Sequence, residues 1–351
     1  MASARTDGKR TTLAQVAKLA GVSVMTASYT YNRPDRVSAQ ARTKVLEAAA
    51  RLGYAGPDAS ARSLRRGRTS SLGVVFGEHL EYAFDDPGAV SFLAGMAEVC
   101  REHGYGLTIL PVTGTEADAA RVTDAAVDGF VVWTTLDGSP VVEAVLATRR
   151  PAVVHGGPTV SGMPSVSIDN RAAARAIGAL AFAGARRPAV LSLPTTRERI
   201  ARVVPAPEVG TVTFAVTRHR LEGYREAAAD AGMPWDDVVV AVCSVNDADE
   251  AYGQARALLA GPARPDAIAA MSDQLAVGVM RALQEAGLSA PGDVAVTGWD
   301  DQPVAAELGL TTVAQSLREQ GAMCARAALG EEIPSEGAPW SLVRRRSTRS
   351  S

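Results

Sequence analysis

The sequence predicts an α/β protein: a small N-terminal unit of three helices, then a two-lobed body of parallel sheets covered by helices. Three observations carry that prediction. The first 53 residues hold apolar side chains at helical spacing, punctuated by Gly21 and Gly53. From Leu72 the pattern changes to short continuous apolar runs alternating with amphipathic stretches, and after "SVSIDN" it starts again. The charge divides at the same place. Residues 1–71 carry 13 Lys or Arg against 4 Asp or Glu, whereas the rest of the chain carries 23 against 34.

In the head, Thr12 can cap a helix whose buried positions are Leu13, Val16, Ala17 and Ala20. Gly21 supplies the stop, since a positive φ there meets no side-chain clash. Val22 packs inward and Ser23 caps a second helix over residues 24–31, with Ala27 and Tyr31 facing the first. A third helix follows Ser38, with Val45, Leu46, Ala49 and Leu52 as its buried stripe, and ends at Gly53. Three short helices, the first two joined by a tight turn and carrying a basic excess, form a helix-turn-helix arrangement suited to a polyanion such as DNA.

The strings "LAQVAKLAGVS..TAS...N" and "VSAQARTKVLEAAARLGY" resemble the head of LacI/GalR-type transcriptional regulators, and the similarity continues through nearly the whole chain. The resemblance implies that Val24, Met25 and Tyr29 face base edges in the major groove. An arginine is common in the family at the Tyr29 position. Arginine grips guanine with two hydrogen bonds and tyrosine cannot, so weaker guanine discrimination is expected, with Val24 and Met25 suited to thymine methyl groups. Thr12, Ser23, Thr26, Ser28 and Asn32, with Arg33, Arg42 and Lys44 nearby, are the expected DNA contacts that fix register, mainly on phosphates. The competing reading of the head is a surface for protein association only.

"GPDASARSLRRGRTSS" follows the third helix. Asp58 can cap a segment running to Leu64, but one or two turns cannot pay for helix nucleation alone. In the resembling family two such hinges pair over the minor groove. That implies Leu64 as a wedge between base pairs, Ala61 as the point of close approach, and Arg62, Arg65, Arg66 and Arg68 on phosphates. A plain Arg-rich tether is the competing reading. The expected organisation is therefore a head over 1–57, a hinge helix and linker over 58–71, and a body over 72–351.

In the body, "LGVVF", "LTILPV", "FVVW" and "PAVVHGG" read as strands, with helices over 89–103, 116–124 and 141–147. The second set is "PAVLSL", "VVVAVCSV", "AIAAM" and "VAVTGW", with helices over 171–182, 221–231, 248–259 and 275–286. Two such units place a cleft between them. The family resemblance makes this a periplasmic-binding-protein-like effector domain, crossing between lobes near 168–171, near 299–303 and after 311–313. The expected first lobe is about 72–168 plus 300–328, and the second about 169–299 plus 329–351. No heptad-bearing tail follows the strand around 340–343, so a homodimer is expected rather than a tethered tetramer.

The cleft candidates come from the resemblance: Asp169 beside Asn170 in "SIDN", Arg220 at the start of "RLEGY", Asp273 in "MSDQ", and Trp299 with Asp300 in "GWDD". Aspartates accept from hydroxyls, arginine donates, and tryptophan offers a flat apolar face, a set suited to a sugar or polyol. Asp273 could equally serve as a helix cap, and Arg220 as an ion-pair partner. The loop "GEHLEYAFDDPGAVSF" and the long segment "LPTTRERIARVVPAPEVGTVTFAVTRHR" depart from the family pattern, so a nucleoside, an acid or a phosphosugar stays open as the effector. In "GARRPAVL" the family's usual Gly-His pair is Gly184 and Ala185.

The sequence offers no phosphate-cradling loop, dinucleotide fingerprint or nucleophile elbow. His79, His103, His155 and His219 make no local acid–base or metal cluster, so neither catalysis nor a cofactor or metal is expected. Cys100, Cys243 and Cys324 are too scattered for a disulfide scaffold or a metal site. No apolar run reaches membrane-spanning length, and none follows Arg5, Lys9 and Arg10 to make a secretory signal, which leaves a cytoplasmic protein as the expectation. The expected partners are double-stranded, pseudo-palindromic operator DNA, a small effector and a second copy of the chain. Induction and corepression remain alternatives, as do a sugar-binding protein or an enzyme with an accessory basic head.

Overall fold

The computed structural model describes residues 11–56, 68–77, 79–112, 116–334 and 337–349. It divides into two units, Met1–Thr69 and Ser70–Ser351. The hinge positions Asp58, Ala61, Arg62, Leu64, Arg65 and Arg66 lie outside the described residues.

In the head, α1 (Leu13–Ala20) opens with a reciprocal cap. The Thr12 hydroxyl accepts from Gln15 N, and the Gln15 side chain accepts from Thr12 N at 2.8 Å. Gly21 closes the helix with φ 66°. Ser23 then caps α2 (Val24–Asn32) by accepting from Thr26 N, and Ser38 caps α3 (Ala39–Arg51) by accepting from Ala41 N. Val16, Ala17, Ala27, Val45, Ala48 and Ala49 fill a core small enough that alanines set the helix spacing. Leu46, expected in that stripe, is 44% exposed instead; Ala48 takes the inward place because it lies three residues from Val45 on the same helix face.

The body has two five-stranded sheets. The first takes β1 (Ser71–Phe76), β2 (Gly106–Pro111), β3 (Gly129–Trp133), β4 (Ala152–His155) and β5 (Ser165–Val166) in the order β2-β1-β3-β4-β5, all parallel. Its helices are α4 (Tyr82–Asp85), α5 (Pro87–His103), α6 (Glu116–Thr123) and α7 (Pro140–Ala147). The second sheet takes β6 (Pro188–Ser192), β7 (Arg202–Pro205), β8 (Val239–Val242), β9 (Ala267–Ala270) and β10 (Ala295–Thr297) in the order β10-β9-β6-β8-β7. It is covered by α8 (Asn170–Phe182), α9 (Ala215–Asp230), α10 (Ala248–Ala260) and α11 (Asp273–Glu285). Strand β7 runs antiparallel along β8, an edge that the long segment after Leu193 adds to an otherwise parallel sheet.

The chain then passes through α12 (Pro303–Leu308), β11 (Thr312–Gln315), α13 (Leu317–Ala328) and β12 (Trp340–Val343), with β11 and β12 paired antiparallel. The lobe boundaries differ from those expected. Ala305, Leu310 and Val313 belong to the second lobe's core, whereas Cys324, Ala325 and Ala328 belong to the first. The return to the first lobe therefore begins after β11 rather than at residue 300. Ile333 still packs on the first lobe and Ala338 on the second, which moves the last crossing beyond 329. Among the described residues no helix is long and apolar enough to cross a membrane.

Candidate functional sites in head and cleft

The head presents apolar side chains that its own core does not use. Val24 is 52% and Met25 65% exposed, both in the first turn of α2, a helix without an acidic residue. Tyr29 is half-buried one turn further on. Arg33, Arg42 and Lys44 are exposed, as are Thr12 and Ser23, whose hydroxyls are engaged as caps. The Ser23 and Thr26 hydroxyls lie 2.9 Å apart, and Asn32 donates to Ser28 Oγ at 3.2 Å, so these polar groups are held in place along one helix. A helix N-terminus with free N–H groups, apolar tips and flanking cations fits a DNA groove between its phosphates.

In the body, about 850 Å³ of atom-free space opens between the two lobes. Strand ends supply much of its wall. Trp133 closes β3 and His155 closes β4, while Asp300 follows β10 and Gln315 ends β11. Of the five residues expected there, Arg220 and Asp300 line the space. Asp169 does not: it is exposed and caps α8 by accepting from Ala172 N at 2.9 Å, and its neighbour Asn170 is the one that faces the cleft.

Trp299 and Asp273 stand behind the wall, both fully buried. The Arg220 guanidinium lies 3.9 Å from the centre of the Trp299 ring and covers that face, so the indole offers no sheet to a ligand directly. Arg220 itself sits inside α9, not at its start. Its Nε donates to Asn170 Oδ1 at 2.9 Å and its Nη1 to the Met271 carbonyl. Asp273 is the first residue of α11, whose cap is Ser272. Its carboxylate accepts from Gln302 N at 2.7 Å and from the Thr312 hydroxyl at 2.8 Å, tying α11 to the crossing strand β11.

Asp300 is the electrostatic centre of the cleft. Its backbone has φ 104°, a region a side-chain-bearing residue rarely adopts, and is fixed by a bond from its N–H to the Val313 carbonyl at 2.8 Å. Burial pushes its carboxyl up to about 7, against the pull of Arg220, with Asp273 adding to the rise. Asp273 is pushed up to about 6, chiefly by burial.

For Asp300 the folded value exceeds the ordinary 3.8, so the folded state holds the extra proton between the two and loses that stabilisation as pH rises. Asp300→Asn removes this dependence. Its stability relative to the wild type should rise from pH 4 to pH 7 and level off above, by roughly 1–2 kcal/mol because the carboxylate keeps some solvent. Urea melts across that range test it, and a difference that does not change with pH contradicts the assignment.

Sequence reasoning passed over much of the wall. His155 stacks on Trp133 with ring centres 4.7 Å apart, Arg199 lies 5.1 Å over the Phe214 ring and donates to the Gly77 carbonyl, and Asn246 donates to Asp86 at 2.7 Å. The last two bonds and the Arg218–Asp137 ion pair run from the second lobe to the first. The signal available was position: residues at the carboxyl ends of parallel strands are where such sheets bind ligands. Among the described residues no cluster of His, Cys, Asp or Glu could hold a metal ion, and all three cysteines are buried and unpaired.

Comparison with known proteins addresses both surfaces. Residues 12–56 match the model of bacterial regulatory proteins, lacI family, and residues 171–348 match a periplasmic binding protein-like domain. An HTH-type transcriptional regulator of Mycobacterium tuberculosis is 41% identical, covering 90% of this chain and 89% of its own. The crystal structure of a LacI-family transcriptional regulator from Corynebacterium glutamicum superposes with TM-score 0.73 at 31% identity, over 96% of this chain and 98% of that one. A complex of the transcriptional regulator CelR with cellobiose superposes with TM-score 0.65 at 27% identity, over 96% and 100%.

Proposed function

The chain belongs to the lacI family of bacterial regulatory proteins and is a DNA-binding transcriptional regulator; from that premise we propose that it is a dimeric repressor released from a pseudo-palindromic operator by a small sugar or polyol. The observation that carries the reading is the cleft. Two guanidiniums, Arg199 and Arg220, and two carboxyl groups, Asp86 and Asp300, share it with neutral amides and hydroxyls. Guanidiniums set against carboxyl groups, with many neutral hydrogen-bonding groups around them, favour an uncharged polyhydroxylated molecule over a phosphosugar or an acid, which would meet Asp86 and Asp300 as well as the arginines. The cellobiose held by CelR is in keeping with that chemistry.

Release follows from linkage. An effector shifts the lobes only as far as it prefers one arrangement over the other. Arg199 and Asn246 line the cleft and bond across it, so a molecule competing for those groups changes the relative energies of the lobe positions. The effector then leaves chemically unchanged. The test is to select an operator from a randomised duplex pool with the full chain. That duplex is then titrated with and without neutral sugars, polyols, nucleosides and phosphosugars. A neutral sugar or polyol should weaken operator binding at least tenfold, or about 1.4 kcal/mol. Absence of any sequence preference, or release only by a charged compound, would refute the proposal.

The same pool reads out Tyr29. Tyr29→Arg should add a preference for guanine at one position in each half-site, worth about 1–3 kcal/mol, the range of a good bidentate contact. An unchanged base preference would remove Tyr29 from the reading surface.

A further inference from the structure

Four residues form one hydrogen-bonded chain along the cleft wall. His155 Nε2 lies 3.0 Å from Gln320 Oε1, Gln320 Nε2 donates to Gln315 Oε1 at 3.0 Å, and Gln315 Nε2 donates to Asp300 Oδ1 at 2.7 Å. All four line the same space. The chain starts on β4 in the first lobe, passes through α13 and β11, and ends after β10 in the second.

Its direction is set by its end. Above about pH 7 Asp300 is ionised and can only accept, so there Gln315 must turn its NH₂ to Asp300 and its oxygen to Gln320. Gln320 in turn presents its oxygen to His155, which must donate. The imidazole is held neutral, pushed down to about 4 mainly by burial, so it carries one N–H and one bare lone pair. With the proton on Nε2, the bare nitrogen is Nδ1. That atom is buried and meets no partner among the described residues, in a residue only 7% exposed and packed between Trp133 and Phe92. A buried acceptor without a donor destabilises the site, and a ligand N–H or O–H placed against it relieves that cost.

We propose that this relay locks His155 as the Nε2–H tautomer and thereby makes Nδ1 a specificity-determining acceptor for a hydroxyl of the effector. The assignment rests on the reading of this cleft as the effector site. It adds a requirement that the cleft's overall polarity does not impose: the group placed against His155 must donate. An ether oxygen or a carbonyl at that point meets a lone pair and is rejected.

The experiment uses the ligand-free full chain labelled with ¹⁵N-histidine, whose four histidines give few signals, with the His155 pair identified by its loss in His155→Gln. Long-range ¹H–¹⁵N spectra recorded well above pH 7, where Asp300 is ionised, should show Nε2 protonated and Nδ1 bare. Gln320→Leu should move both signals toward the average of the two tautomers. Glycerol at molar concentration, the hydroxyl probe, should shift Nδ1 toward the hydrogen-bonded position. A wild-type Nδ1–H tautomer, an even mixture, or an Nδ1 signal indifferent to glycerol would overturn the proposal. None of these readouts involves DNA or an effector, so failure of the repressor reading is seen separately in the operator titration.

Discussion

Gly95→Ala and Gly321→Ala should each cost the body about 3 kcal/mol, near the upper end of the overpacking range and roughly 6–12 °C in melting temperature. The two glycines sit where α5 and α13 cross. A Cβ on Gly95 would overlap the carbonyl oxygen of Arg318, and one on Gly321 would overlap that of Phe92. Each added methyl meets the other helix's backbone, which cannot rotate away as a side chain does. Relief requires the helices to separate, and α13 carries Gln320 and follows directly from the crossing strand β11. The effect should therefore reach the cleft as well as the core. Gly253→Ala is the control. It lies exposed in α10 with open space around it, so an alanine there should be neutral or stabilising by up to about 1 kcal/mol. Thermal melts of the three variants decide the matter; equal behaviour of Gly95→Ala and Gly253→Ala would refute the close-contact account.

These contacts also mark the limit of what the sequence discloses. The head was legible because its determinants are local. Thr12, Gly21 and Ser23 are each read from the few residues that follow or precede them, and each occupies the expected cap or stop. The parallel strands were legible because burial on both faces leaves continuous apolar runs. Strand β7 was not, since "RVVP" is short and only its antiparallel partner β8, more than thirty residues away, gives it a ladder. Arg220 was placed at a helix start because "RLEGY" opens the clearest periodic run, but α9 begins at Ala215. Motif position brought out Asp273 and Trp299 but not whether they form the wall or the layer behind it. That distinction depends on which neighbours cover them: Arg220 lies over the Trp299 ring, and Gln302 N and the Thr312 hydroxyl take up the Asp273 carboxylate. The relay was beyond reach altogether. His155 and Gln320 are 165 residues apart, and no spacing rule connects them.

Arg220→Met should leave operator binding intact while abolishing the effector's ability to release it, and should lower the body's stability by about 3 kcal/mol. Methionine is long enough to keep some contact with the Trp299 face, so the loss falls mainly on hydrogen bonding and charge. Asn170 Oδ1 and the Met271 carbonyl lose their donor in a place where Arg220 is only 6% exposed. Asp300 loses the cation that holds its carboxyl down, so it keeps its proton to a higher pH than in the wild type. A protonated Asp300 can no longer offer two strong acceptor oxygens to hydroxyls, and the far end of the relay loses its fixed polarity. Arg220→Lys should rescue the charge without the function, because a single ammonium cannot lie flat on the indole while donating in two directions. The head is a separate compact unit, so its affinity for the selected duplex should stay within about threefold of wild type, less than about 0.7 kcal/mol. Operator titrations with and without the releasing sugar, run beside thermal melts, separate these effects. Normal release by the Arg220→Met protein would refute the role given to Arg220, and loss of operator binding in a folded variant would refute the confinement of that role to the effector response.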